Sequence, residues 1–269
     1  MDGGTGVSLS ELHKPALVEF VDDCRRAVSY WRRAPLLPLL TAAVHVGLVV
    51  ASREQRQFPP LAPVVLAGAV AAIGLPGVQR LWYLRLARGG SMTVRELVHF
   101  GGRFFGRYFW LGLVITTPFA VMDLTLLTVG RLTHSSLLLA IAVLTLVYWV
   151  VLDFGLTFVT PALAFNTRLV SAALKLGLKM LRETWPRSAW YALFPPLALQ
   201  LLLYQPQRVL VSNIAAVASI AVVASLVALA VKGATVEFYM RHVDNIPPNG
   251  SADPEPATRV PTPVPDPFR

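Results

Sequence analysis

The chain has a single cysteine and few charged residues, and both shortages restrict what it can be. Cys24 alone allows neither an intrachain disulfide nor a zinc site built from cysteines. Charged residues make up 14% of the sequence, whereas soluble domains carry about 25%. Hydrophobic residues account for 55%, and the mean hydropathy is +0.57. We therefore expect a membrane protein, because the polar surface is too small for a water-soluble fold.

Acidic residues are scarce as well, with 15 Asp and Glu against 24 Lys and Arg and a net charge of +9. A basic excess can indicate nucleic-acid binding, but here the basic residues flank long apolar runs. Attraction to anionic headgroups contributes about 1 kcal/mol per Lys or Arg near a membrane surface. We expect membrane lipids, especially anionic ones, as partners, and not nucleic acid. A protein partner or a homo-oligomer stays open.

The usual sequence signatures of catalysis are absent. The sequence has no His, Cys and carboxylate pattern with metal-ligand spacing, no phosphate-binding glycine loop and no recognisable Ser-His-Asp grouping. Six spans and their connections would fill most of the 269 residues. We therefore expect a non-enzymatic protein without a cofactor or a bound metal.

Six apolar runs approach the ~20 residues that a bilayer core requires. Pro161 is expected to end or kink the fourth run near its exit from the membrane. The predicted spans are Leu36–Ser52, Phe58–Val78, Phe109–Gly130, Ser136–Phe165, Ser188–Gln205 and Val209–Val231.

The basic residues predict the orientation of these spans. Twenty of the 24 Lys and Arg residues lie in four blocks: the N-terminal arm, residues 80–107, residues 168–187 and the part from Lys232 onwards. The positive-inside rule places all four blocks in the cytoplasm. The fold class is therefore an all-α polytopic membrane protein with six transmembrane helices and both termini inside.

Each odd-numbered span follows a basic stretch that has an apolar helical face, so three interfacial amphipathic helices are predicted. Comparable basic positions are Arg26, Arg103 and Lys179, which are 77 and 76 residues apart. We interpret this as three units, each an interfacial helix followed by a two-span hairpin, although a coincidence of loop lengths is the alternative. The three apolar faces are Leu17, Val21, Cys24, Val28 and Trp31; Val94, Leu97, Val98, Phe104, Phe105 and Tyr108; and Ala173, Leu174, Gly177, Leu181 and Trp185.

Capping signals precede the three basic stretches. Ser8 with Glu11 and Thr93 with Glu96 have capping-box spacing, and Asn166 or Thr167 can cap the third helix. Such helices could brace the bundle or gather anionic lipid. The candidate lipid contacts are Arg26, Arg103, Arg107, Lys175, Lys179 and Arg182.

The chain divides into three parts. Residues 1–35 form a cytoplasmic arm that contains the first interfacial helix and is expected to be retained rather than cleaved as a signal peptide. Residues 36–242 form the six-span domain. Residues 243–269 form a cytoplasmic tail that is expected to be disordered, because eight of its last 24 residues are proline.

The segment from Phe158 to Arg182, FVTPALAFNTRLVSAALKLGLKMLR, continues through Trp185 into the next span. It resembles a group of bacterial six-span proteins that includes the membrane domain of glycerophosphodiester phosphodiesterases and its stand-alone relatives. In that group a span ends at a proline, and a basic amphipathic helix then leads through an aromatic residue into the next span. The resemblance extends over residues 15–242 and implies the fold and a bacterial cytoplasmic membrane. The group's phosphodiesterase activity belongs to a separate soluble barrel, so no catalytic residue is implied.

Three ionisable residues fall inside the predicted spans, namely His45, Asp123 and Asp153. A charge at mid-bilayer costs about 2.5–3.5 kcal/mol on insertion scales. These side chains should therefore face the bundle interior or a polar cavity. They could form a proton or cation path, hydrogen-bond between helices, or fix helix register as an Asp–His pair.

The composition and charge pattern favour a scaffolding, lipid-organising or partner-binding role. The alternative is a small permease or proton-coupled transporter that uses Asp123 and Asp153. A lipid-modifying enzyme is a third class, but no motif supports it.

The predicted orientation can be tested with fusions at the C-terminus. A fluorescent protein that folds in the cytoplasm should be bright there, because the tail lies on the side with the basic blocks. An alkaline phosphatase, which is active only outside the cytoplasm, should be inactive at the same position. High phosphatase activity would contradict the orientation.

Overall fold

The computed structural model describes residues 9–54, 58–130, 144, 147–148, 150–195 and 214–243, without the side chains of residues 9–14, 52–53, 69, 116 and 118–130. In these ranges the protein is all-helical and contains no strand. Short 3-10 turns lie at Tyr30–Arg32 and Pro59–Leu61. The helices are α1 (Leu9–Ser29), α2 (Leu36–Glu54), α3 (Ala62–Ala87), α4 (Val94–Gly130), α5 (Val159–Phe165), α6 (Val170–Thr184), α7 (Ala189–Phe194) and α8 (Ile214–Val243).

Two described helices are long and apolar enough to cross a membrane: Pro59–Ala87, which includes α3, and α8. The pair Pro15–Arg32 and Leu36–Ala51 adds a third candidate if the two helices form one span, although they meet at 99°. A shorter apolar helix covers Val150–Phe165. These lengths indicate association with a membrane, as the composition predicts.

Helices α3 and α8 form the centre of the described structure. Helix α8 packs against α1, α2 and α3, and α3 also packs against α2, α4 and α5. The ring of Phe238 on α8 lies 4.4 Å from that of Tyr191 on α7 and 5.5 Å from that of Phe158. Tyr191 in turn contacts Phe20 of α1 at 5.0 Å between ring centroids. An aromatic core therefore joins the first, seventh and eighth helices.

Two glycines allow helices to approach closely. A Cβ at Gly233 of α8 would lie 2.5 Å from the Cβ of Ala27 on α1 and 2.7 Å from the ring of Tyr83 on α3. A Cβ at Gly177 of α6 would lie 2.5 Å from the backbone nitrogen of Val159 on α5. Both distances are shorter than any real Cβ contact, so side chains at these positions would force the helices apart.

Helix α4 differs from the prediction that a separate interfacial helix precedes the third span. It runs without a break from Val94 to Gly130 over 37 residues, which corresponds to about 55 Å at 1.5 Å per residue. The sequence between the two predicted parts contains no proline to interrupt the helix. The basic stretch is therefore the first part of one long helix that exceeds the ~30 Å of a hydrocarbon core.

The turn between α3 and α4 contains the predicted capping box. The backbone N–H of Thr93 donates to Glu96 at 2.9 Å, and the Glu96 N–H donates to Thr93 Oγ1 at 3.3 Å. Arg85 at the end of α3 adds an ion pair to Glu96 at 2.6 Å. This hydrogen bond from Arg85, followed by those from Thr93, lowers the pKa of Glu96 from 4.5 to about 2. The carboxylate therefore stabilises the fold above about pH 4.5, and this contribution is lost as the pH falls towards 2.

Three other helix boundaries differ from the prediction or refine it. The fourth apolar run is interrupted at Thr157 and Phe158, shortly before Pro161, which has no N–H to donate to the Thr157 carbonyl. Helix α6 has Leu169 as its N-cap, without a side-chain cap bond, so the prediction of Asn166 or Thr167 was wrong. Helix α8 continues to Val243 instead of ending at Val231.

Helix α1 packs against the bundle through a face other than its predicted apolar interfacial face. Its buried side chains are Ala16, Phe20, Asp23 and Ala27. The predicted apolar face is largely exposed, with Leu17, Val21 and Val28 at 40%, 38% and 42%. The difference arises because the buried face includes an aspartate whose partners lie on α7 and α8. Helix α1 therefore has one face for the bundle and a second apolar face directed outwards.

Several predictions lie outside the described residues. These are the capping residue Ser8, most of the first half of the fourth predicted span, most of the fifth, the start of the sixth, and the proline-rich tail.

Substitution of Gly177 by Ala should lower the stability of the protein in detergent by about 1–3 kcal/mol, because the new methyl group overlaps the α5 backbone. The matched control is Gly106→Ala on α4, where a Cβ meets nothing within 4 Å and the higher helix propensity of Ala should keep or raise stability. Thermal unfolding followed by circular dichroism measures both. Equal melting temperatures for the two variants would contradict the close α5–α6 packing.

Candidate functional site

A row of hydrogen bonds connects α2, α3 and α8 inside the bundle. The Nε2 of Gln79, which is fully buried, donates to Thr41 Oγ1 at 2.8 Å. Lys232 Nζ donates to Gln79 Oε1 at 2.9 Å. The Thr41 hydroxyl completes the row by donating to the Leu37 carbonyl at 2.8 Å. Each of the three helices therefore supplies one polar side chain to the same contact.

Arg80 follows Gln79 and is also buried, with 7% of its surface exposed. Its Nη1 donates to the Pro76 carbonyl at 3.0 Å, and its Nη2 donates to Thr160 Oγ1 at 2.5 Å. The third guanidinium nitrogen, Nε, is buried and has no hydrogen-bond partner among the described residues. Tyr108 of α4 donates to the Thr160 carbonyl at 2.8 Å, so the guanidinium lies between α3, α4 and α5.

Arg80, Lys232, Gln79, Thr41 and Thr160 are called the inner cation cluster below. The charge of Arg80 acts on Lys232, and no carboxylate of the described ranges acts on either cation. Arg80 lies seven residues before the end of α3, and Lys232 eleven before the end of α8. These separations correspond to about 10 and 16 Å along the helices. The bundle therefore contains two basic side chains that lie well before the ends of their helices.

A second group of charges joins α1 to the other end of the chain. Asp23, which is 1% exposed, accepts a hydrogen bond from Tyr191 at 2.5 Å and forms an ion pair with Arg241. Arg241 also pairs with Glu19 at 2.9 Å. These four residues are called the Asp23 cluster. Three of them, Glu19, Asp23 and Arg241, border an open depression of about 400 Å³ that Arg26 also lines. The cluster attaches the N-terminal helix to α7 and α8.

The three predicted intramembrane residues lie on three different elements. His45 is half-buried on α2, one turn beyond Thr41, and Lys232 acts on it electrostatically. Asp123 lies in α4 with a side chain outside the description, and Asp153 is half-buried in the helical segment before Thr157. In the described ranges, His45 therefore neighbours the inner cation cluster. A polar site that joins all three residues stays a prediction.

The predicted lipid contacts fall into two groups. Arg26, Arg103, Lys175 and Arg182 are exposed. Lys179 is half-exposed and lies 3.9 Å from Glu183. Arg107 donates to the Leu163 carbonyl at 3.3 Å and covers the ring of Phe104 at 5.4 Å, so it also contributes to packing. Binding of lipid at these positions stays a prediction.

The inner cation cluster was not among the predicted sites. Arg80 and Lys232 were counted among the cytoplasmic basic blocks, because they lie two residues and one residue after the ends of predicted spans, Val78 and Val231. The structure instead buries Arg80 and connects Lys232 to Gln79 inside the bundle. A usable signal was present, since apolar and aromatic residues continue beyond both positions: Leu81, Trp82, Tyr83 and Leu84, and Val236, Phe238 and Tyr239.

Comparison with known proteins identifies no relative of this chain. No protein-family model, no curated protein and no solved structure matches it.

Replacement of Asp23 by Asn should destabilise the protein by about 1–3 kcal/mol, because the buried partner of Arg241 and Tyr191 loses its charge. Asp22→Asn is the matched control, since Asp22 is 47% exposed and contacts only Arg25 at 3.3 Å among the described side chains. Thermal melting and proteolysis of the N-terminal arm measure the effect. If both variants release α1 equally, the Asp23 cluster does not hold it.

Proposed function

We propose that this protein is a non-enzymatic, lipid-organising component of a bacterial cytoplasmic membrane, with six spans and both termini in the cytoplasm. The observation that carries the proposal is the surface of α1, which exposes large apolar side chains next to basic ones. Val18 is 60% exposed, and the side chain of Arg25 is 78% exposed. A helix with this surface is suited to the boundary between headgroups and acyl chains.

The angle between the first two helices supports this placement. The pair Pro15–Arg32 and Leu36–Ala51 meets at 99°. If α2 crosses the bilayer, α1 therefore lies close to the plane of the membrane. The Asp23 cluster holds it against α8 on its buried face, and this leaves Val21 and Val28 free to enter the acyl-chain region.

Helix α6 supplies a second surface of the same kind. It buries Ala173 and Gly177 against the bundle, while Leu178 is 49% exposed. Lys175 and Arg182 are exposed at its surface. Two anchoring helices, with positive charges near the headgroups, would collect anionic lipid around the inner end of the bundle.

The double substitution Lys175→Gln and Arg182→Gln should weaken binding of phosphatidylglycerol about thirtyfold. Each of the two lost cations contributes about 1 kcal/mol of attraction to the anionic headgroup. Titration of the purified protein with phosphatidylglycerol, followed by native mass spectrometry, measures the affinity. Both substitutions are at exposed positions, so the helical content should not change.

The control is the pair Arg259→Gln and Arg269→Gln, which removes the same charge from the C-terminal tail. This variant should bind phosphatidylglycerol as the unaltered protein does. An equal loss in both variants would show a response to net charge alone. No loss in either would contradict a lipid site on α6.

A further inference from the structure

A groove on the outside of the bundle runs between α2, α3 and α4. Its volume is about 340 Å³, within the range of small-ligand pockets. All twelve of its lining residues are apolar or glycine, and they include Leu40, Ala71, Gly74 and Gly102. Val70 and Val98 border it and are 45% and 69% exposed. Gly102 lacks a side chain and so leaves the space open, and Gly74 lets α3 and α4 approach closely beside it.

One edge of this groove is basic. Arg95, His99 and Arg103 are exposed and follow one another at a spacing of four residues on α4. Arg95 and His99 lie one turn before Val98 and Gly102, which line the groove, and so border it, whereas Arg103 lies beside Gly106 outside it. Positive charge therefore lies beside the apolar slot, towards the end of α4 that begins in the predicted cytoplasmic block.

A second copy of the chain fits this surface poorly. In a symmetric dimer the same patch of each copy forms the interface, so the basic edges of both copies would be enclosed in it. Like charges at such an interface repel. A phospholipid with a negative headgroup fits this surface better, because its phosphate is attracted to the basic edge and its acyl chain matches the apolar lining.

We infer that the α2–α3–α4 groove holds one acyl chain of an anionic phospholipid of the inner leaflet, with the lipid phosphate at Arg95. The inference rests on the proposed lipid-organising function and names a specific lipid site for it. The site is separate from the surface of α6, so either can fail without the other.

A side chain added at Gly102 can fill the groove, because its Cβ atom would not clash with any neighbour. A Cβ at Gly102 meets nothing within 4 Å, whereas a Cβ at Gly74 would lie 2.9 Å from the Gly101 carbonyl oxygen. Gly102→Leu therefore places a side chain in the slot, and Gly102→Ala fills it only partly. Gly106→Leu is the matched control, because its Cβ also meets nothing and it does not line the groove.

The experiment uses the full-length protein in vesicles that contain phosphatidylglycerol with a photoreactive diazirine in its acyl chain. Labelled peptides are located by mass spectrometry. We expect labelling concentrated on residues 70–78 and 97–105. Gly102→Leu should reduce labelling about tenfold, because the acyl chain would lose the binding free energy that burial of about two methylene groups contributes. Gly102→Ala should reduce it less, and Gly106→Leu should leave it unchanged.

A second arm tests the headgroup. Arg95→Gln should reduce labelling by phosphatidylglycerol about fivefold, with no change for a phosphatidylcholine probe of the same chain. Equal labelling by both probes, or labelling that Gly102→Leu does not change, would overturn the inference. Crosslinks between two copies at these residues would also overturn it. If the Lys175→Gln and Arg182→Gln variant binds phosphatidylglycerol normally while the groove is still labelled, the proposed role of α6 is contradicted and the groove site is not.

Discussion

The structure depends on polar contacts that the last three turns of α8 make with other helices at one end of the bundle. A buried polar group that is left unpaired costs about 1–3 kcal/mol, so each one needs a partner within the protein. Three residues of α8 provide such partners between elements far apart in sequence. Glu237 accepts from Tyr30, Tyr239 donates to Asn166, and Arg241 pairs with Asp23.

Much of the helical framework could be predicted from the sequence because its signals are local. Apolar runs indicated α2 and α3 close to their observed starts, and the spacing of Thr93 and Glu96 indicated the start of α4. The same local signals also led to an error at α4. The pattern separated two parts of α4 that form one helix, because a change from amphipathic to apolar character does not itself interrupt a helix. The six-span topology stays a prediction.

The functional groups were harder to predict, because their partners are distant in sequence. Asp23 is buried only because Tyr191 and Arg241, 168 and 218 residues away, bond to it. Since those partners are distant in sequence, nothing near Asp23 in the chain indicates that this face of α1 packs against the bundle. The contact of Lys232 was missed for the same reason, because Gln79, which accepts its hydrogen bond, is 153 residues away. The protein therefore buries one basic side chain, Arg80, and exposes others, such as Lys175 and Arg182, beside apolar side chains.

We propose that the exposed basic and apolar side chains of α1 and α6 select anionic lipid from the surrounding membrane. The most direct measurement extracts the full-length protein from bacterial membranes with a polymer that retains neighbouring lipids. The lipid classes are then quantified against those of the bulk membrane. We expect a higher fraction of phosphatidylglycerol and cardiolipin around the protein than in the bulk. A composition equal to that of the bulk membrane would show that the protein does not select anionic lipid.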